Sequence, residues 1–280
     1  MNRSPYLAVS IHRHTAGQPV AAVSDDVVVE EPLEIRVEGR PVAVTMRTPG
    51  NDDELAVGFL QTEGVITSAA DLLEVNQCPS TTDATGNSID VLLRRPGAVD
   101  FERLTRHVFS ASSCGLCGKA TIESIHLRFP PLGPATSVSA RILEHLPDQL
   151  TRLQETFQRT GGLHGAALFD ETGTITVARE DVGRHNAVDK VIGHMLLRKP
   201  QGSDRNGTPA PPEHRPFGLF VSGRVSFEII QKALAARIAV VAAVSAPSSL
   251  AVEFARKNGQ VLVGFLRAGR MNVYAGEVSP

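Results

Sequence analysis

The chain has 280 residues, with 42% hydrophobic and 21% charged side chains and a formal net charge of -2. This is ordinary for a globular protein with ample core in one large or two modest domains, and it gives no overall pull toward nucleic acid or an anionic membrane. No apolar run reaches bilayer length, the first residues lack the apolar stretch of a secretory signal, and three cysteines make no disulfide framework. The expected compartment is the cytoplasm.

Strands are expected at 27–29, 32–37 and 41–46, the last two joined by Glu38-Gly39 as a hairpin. Asn51, Asp52 and Asp53 offer capping side chains for a helix through Leu55, Val57, Phe59 and Leu60, which Gly64 stops. Strands at 72–75 and 89–93 read as a second hairpin, and a short helix at 101–108 leads to a pair of cysteines. Pro130-Pro131-Leu132-Gly133-Pro134 has linker composition. Leu143, Leu146, Leu150, Leu153 and Phe157 recur at helical spacing and read as one packing helix, closed by Gly161-Gly162.

From His164 onward strands and helices alternate. Strands are expected at 166–169, 174–178, 217–222, 240–244, 260–265 and 271–274, with helices at 184–197, 226–236 and 248–258. Residues 200–216, rich in Pro, Gly and Asn, read as a loop. Short apolar strands between helices point to an α/β fold whose sheet is covered on both faces. The chain is expected to divide into a smaller α+β domain over 1–130 and an α/β domain over 131–280.

Ligands of α/β sheets gather where strands end and helices begin. Three such junctions are polar: residues 179–186 (Arg-Glu-Asp-Val-Gly-Arg-His-Asn), Ser222-Gly223-Arg224 and Ser245-Ala246-Pro247-Ser248-Ser249; a fourth polar segment, Arg267-Ala268-Gly269-Arg270, follows the last buried strand. Any one of them reads as helix caps and ion pairs. Together they read as a pocket for a phosphorylated ligand, with Arg184 and Arg224 supplying charge beside helix N-termini.

Two of the three cysteines stand in Cys114-Gly115-Leu116-Cys117, among serines and glycines. A structural zinc site needs four ligands; Cys78 is alone and no histidine has matching spacing, so zinc is not expected. A thioredoxin-type dithiol follows a core strand and opens a helix, and residues 109–113 are not a clear strand. Nucleophilic sulfur transfer remains, by the attack-and-leave logic of thiol–disulfide exchange. A thiol–disulfide oxidoreductase and a non-catalytic cofactor chaperone are the alternatives.

Several motifs run in order from about residue 29 to 274: Glu31-Pro32-Leu33, Arg47-Thr48-Pro49-Gly50-Asn51-Asp52, Gly58-Phe59-Leu60 with Glu63-Gly64, Ser113-Cys114-Gly115-Leu116-Cys117-Gly118, the 179–186 segment, Ser222-Gly223-Arg224, and Gly264-Phe265 leading into Leu266-Arg267-Ala268-Gly269-Arg270. In these the chain resembles the formate dehydrogenase accessory sulfurtransferase (FdhD) family. The resemblance implies a sulfur carrier between a cysteine desulfurase and the molybdenum (or tungsten) cofactor of formate dehydrogenase. Cys114 would carry the persulfide with Cys117 assisting. The bis(molybdopterin guanine dinucleotide) cofactor would be held by Phe265, Leu266, Arg267, Ala268, Gly269 and Arg270.

It also implies a homodimer and a cytidine-deaminase-like, three-layer α/β/α C-terminal domain. Zinc deaminases place H-x-E and P-C-x-x-C at two helix starts. Here those starts read His185-Asn186-Ala187 and Ser222-Gly223-Arg224-Val225-Ser226, so deamination is not expected. Departures from the family pattern are Val225 after Ser-Gly-Arg, Gly165 after His164, and Ala268. His164 and His185 read as hydrogen-bonded structural residues, and Cys78 as inert.

Overall fold

The computed structural model describes residues 4–77, 86–98, 101, 129–133, 137–198, 217–267 and 269–280. The expected helix at 101–108, the cysteine pair, Cys78 and the 200–216 loop lie outside the described residues, apart from Phe101.

An antiparallel hairpin of β1 (Tyr6–Arg13) and β2 (Ala21–Val28) comes first; only its end, at Val27, was expected from sequence. Next, β3 (Glu31–Val37) and β4 (Arg40–Arg47) pair antiparallel. Between them Glu38 and Gly39 both take positive φ, 52° and 74°, as a two-residue turn matched to strand twist demands. Helix α1 (Asp52–Thr62) follows. The expected cap is corrected here: Asn51 sits in the left-handed region at φ 56° and makes no side-chain cap bond. Asp52 is instead spent on Arg47, whose Nε and Nη2 each donate to it at 2.8 Å.

Strands β5 (Leu72–Gln77) and β6 (Ser88–Leu93) form the second hairpin, and β6 joins β3 in parallel. The sheet order is β4-β3-β6-β5. Period-two alternation turns Leu33, Ile35 and Val37 inward, where they pack with Ile89 and Val91 against Leu55, Val57 and Leu60 of α1.

After the short strand β7 (Ser137–Ser139), the expected single helix is three: α2 (Ala140–Glu144), α3 (Leu146–Leu153) and α4 (Glu155–Thr160). Pro147 lies in the first turn of α3; it lacks an N–H and would strike the preceding turn of a continuous helix. Gln154, at ψ 65°, makes the second break. Leu143, Leu146 and Leu150 are buried as the stripe implied, whereas Leu153 and Phe157 are 50% and 41% exposed.

The larger sheet holds β8 (His164–Phe169), β9 (Ile175–Asp181), β10 (Gly218–Val221), β11 (Val240–Ala243), β12 (Val261–Arg267) and β13 (Arg270–Ala275), in the order β13-β12-β11-β10-β8-β9. Strands β10, β11 and β12 are parallel and the other pairings antiparallel. The intervening helices are α5 (Arg184–Leu197), α6 (Phe227–Ala235) and α7 (Ser249–Asn258). One sheet face, through Ala166, Leu168, Leu219 and Val241, packs on these helices. The other, through Ala167, Phe169, Phe220 and Ala242, packs on Leu143, Leu146 and Leu150. Burial from both sides is why β10 and β11 are apolar at every position. The last strand, β14 (Glu277–Ser279), pairs in parallel with β7.

The two sheets meet through α1 and α5, whose backbones touch. A Cβ on Gly58 would lie 1.8 Å from the Asp189 carbonyl oxygen, and one on Gly193 1.8 Å from that of Glu54. No described helix is long and apolar enough to cross a membrane.

Candidate functional site

Parallel β10, β11 and β12 end on one edge of the larger sheet. Antiparallel β8 begins there, because Ala166 pairs with Val221, and β9 ends there, because Asp181 pairs with His164. This topology brings the polar junctions together, and backbone bonds stitch them. The Ser222 N–H donates to the Gly165 carbonyl at 2.9 Å, that of Val225 to Ala246 at 3.2 Å and that of Ser248 to Val225 at 2.9 Å. The Phe265 N–H donates to the Ser245 carbonyl at 3.2 Å.

At this edge the backbone is strained. Phe265 sits at φ 53°, a region costly for a side chain of its size, and is 39% exposed. The β12–β13 register shifts between Gly264 and Arg267. A Cβ on Gly264 would lie 3.0 Å from Pro247, the Ser245 carbonyl and Tyr274, so glycine lets β12 lie close to the β11 loop and β13 without displacing them. Arg267 and Arg270 face each other across the hairpin and are both exposed. Like charges directly opposite repel, which leaves this tip suited to an anion.

The surroundings of both imidazoles here favour the neutral form. Burial, then the charges of Arg184 and Arg224, push His164 below its ordinary value. Burial, then Lys232 and Arg184, lower His185 from 6.5 to about 4. The Nε2 of His185 lies 3.2 Å from Ser226 Oγ and 3.8 Å from Glu228. Burial alone would raise Glu228, but the Ser226 hydroxyl, its own N–H and the nearby positive charges bring it below its ordinary value. A pH dependence follows. The unfolded chain protonates this imidazole first, so stability present above pH 6.5 is lost as pH falls toward about 4. Urea midpoints should drop over that window and drop less in His185→Asn.

Within residues 179–186 the structure separates scaffold from site. The Arg179 guanidinium pairs with Glu54, Nη2 to Oε1 at 2.7 Å, beside His194. Glu180 accepts the N–H groups of Thr156 and Phe157 at 3.1 and 2.8 Å. Asp181 is fully buried, 2.7 Å from Lys190 Nζ, and accepts from Thr48 N–H, Gly183 N–H and Asn186 Nδ2. Asn186 also donates to the Met46 carbonyl at 2.8 Å. Arg179, Asp181 and Asn186 thus bolt the smaller sheet and its helix α1 to the larger sheet, and Glu180 holds α4 to it. Arg184 differs: its buried Nε has no partner among the described residues. It opens α5 after Gly183, which has no side chain to cap the leading N–H groups.

A family model and similar proteins place the chain. The model of the FdhD/NarQ family matches residues 28–279. The chain belongs to the FdhD/NarQ family. It is 48% identical over 276 residues to the protein named sulfur carrier protein FdhD in Mycobacterium tuberculosis, covering 94% of each chain. It is 49% identical over 263 residues to the protein of that name in Streptomyces coelicolor, covering 92% of this chain and 89% of that one. A solved structure described as a formate dehydrogenase accessory protein from Desulfotalea psychrophila has the same fold, with a TM-score of 0.72, 23% identity and 98% of each chain covered.

Of the residues singled out from sequence, the fold brings Arg184, Arg224 and the Phe265–Arg267 end of β12 to one edge, with Gly269 and Arg270 just beyond. Cys114, Cys117 and Ala268 lie outside the described residues. His185 has the hydrogen bond expected of it; His164 has none among the described residues. The departure at Gly165 has a local reason, since a Cβ there would lie 2.6 Å from the Gln154 Nε2. Two buried lysines were missed. Lys190 meets Asp181, and Lys232 meets Asp189 Oδ2 at 2.8 Å and Thr62 Oγ1 at 2.9 Å. Their only sequence signal is Asp189-Lys190 set inside an apolar helix face.

Proposed function

We propose that this FdhD/NarQ protein carries sulfur, as a persulfide on Cys114, from a cysteine desulfurase to the molybdenum cofactor before that cofactor enters formate dehydrogenase. The Cys114 thiolate attacks the outer sulfur of the donor persulfide, a new S–S bond forms, and the donor thiolate leaves. Cys117 assists. The cofactor is the substrate, in its bis(molybdopterin guanine dinucleotide) form, and its phosphates take the carboxyl edge of the larger sheet. Arg184, Arg224 and residues 265–270 hold it there. The reading extends to a deaminase-like layering of a 131–280 domain, a smaller 1–130 domain that carries the cysteines, a homodimer, and a cytoplasmic setting.

The observation that carries it is the convergence of the polar junctions on one sheet edge, in a chain whose relatives are named sulfur carriers. Guanosine diphosphate is the probe. Arg184→Ala and Arg224→Ala should each weaken its binding, measured by calorimetry, about 10- to 100-fold, as loss of a hydrogen bond to a charged group requires. Binding unchanged in both variants would place the ligand elsewhere.

A further inference from the structure

We propose that His164 meets the anionic ligand directly and takes up a proton from solvent as the ligand binds, becoming a third positive charge beside Arg184 and Arg224. The inference rests on the phosphate-pocket reading above.

The ring opens β8, opposite Asp181 at the end of β9, and packs over Gly223. A Cβ on Gly223 would lie 3.3 Å from His164 Nδ1, so glycine keeps the approach to that nitrogen clear. Unlike His185, which is held by Ser226 and Glu228, His164 makes no hydrogen bond or ion pair among the described residues. The charged groups that face it are Arg184 and His185 from α5, Arg224 from the β10–α6 loop and Asp181 from β9. Asp181 is 2.7 Å from Lys190 and already spent there.

In the free protein, therefore, a half-buried imidazole faces two guanidiniums, and no described residue accepts its second proton. A phosphate oxygen between the guanidiniums changes both conditions, since it offsets the repulsion and accepts the new N–H. Protonation and binding then favour each other. Affinity should fall as pH rises, by up to about tenfold per pH unit between the free and bound titration points of the ring.

The test uses the full chain and GDP-mannose, whose pyrophosphate carries no group that titrates near neutrality. Calorimetry in two buffers of different ionisation heat, across roughly pH 5 to 8, counts protons taken up per ligand bound. Wild type should take up protons and bind more weakly as pH rises. His164→Gln and His164→Asn should bind without proton uptake and with a flat pH profile, whereas His185→Gln should keep the uptake. Should both His164 variants fail to fold, nitrogen NMR of the wild-type imidazoles decides: one ring must titrate at higher pH when GDP-mannose saturates the protein. Binding without proton uptake, uptake that survives in a folded His164 variant, or rings that do not shift would overturn the inference alone. Failure of wild type to bind GDP-mannose would overturn the phosphate-pocket reading and this inference with it.

Discussion

Gly58→Ala is expected to destabilise the protein by at least about 3 kcal/mol, at the upper end of what overpacking costs, and Gly193→Ala by as much. Each added methyl would sit 1.8 Å from a main-chain carbonyl oxygen of the facing helix. A side chain in the way could change rotamer, but here the neighbour is backbone, so the helices themselves must part. Parting them strains the ties that cross the same contact, Arg179 with Glu54 and Lys232 with Asp189 and Thr62. Thermal unfolding should shift down by about 6–10 °C. The control is Gly39→Ala, at φ 74° but with open space around it, which should cost about 1 kcal/mol. Equal losses at Gly58 and Gly39 would contradict the helix contact.

Lys190→Met should cost about 3–5 kcal/mol, as breaking a buried ion pair from one side does. Lys190 and Asp181 side chains are 2% and 0% exposed, so the lone carboxylate would have neither countercharge nor water. Asp181 also holds the N–H groups of Thr48 and Gly183 and the Asn186 amide. The double variant Lys190→Met/Asp181→Asn should therefore recover part of the loss, because the amide is neutral and its one oxygen still accepts from Gly183 N–H and the Asn186 amide. Denaturant titration of the two single variants and the double gives the coupling, expected at 1 kcal/mol or more. Additive losses would show that the pair does not act as a unit.

These two effects also mark what a linear sequence conceals. Helix α5 was legible to the residue, because Gly183 precedes it and its apolar positions recur at helical spacing. The β3–β4 hairpin was legible from Glu38-Gly39 between alternating strands. The three-helix run at 140–160 was misread as one, since its leucine stripe keeps phase across the break and Pro147 is as welcome in a first turn as it is unwelcome in an interior. Most of the β1–β2 hairpin was unread because its exposed positions carry Ser10, His12, Ser24 and Asp25 and few alternating apolar residues. In the site, Arg184 and Arg224 stood out by their place at strand–helix junctions. The neighbouring Arg179, Glu180 and Asp181 read the same way and proved to be scaffold. Of their partners, Glu54 is brought in by the packing of the two sheets and the α4 backbone and Lys190 by packing around the larger sheet, and no local pattern announces them.

The most direct measurement is intact mass spectrometry of the full chain after incubation with a cysteine desulfurase and cysteine. The predicted result is a gain of one or more sulfur atoms, lost on adding a reductant and absent in Cys114→Ala while guanosine diphosphate still binds. A chain that gains no sulfur, or a Cys114→Ala variant that gains as much as wild type, would contradict the account.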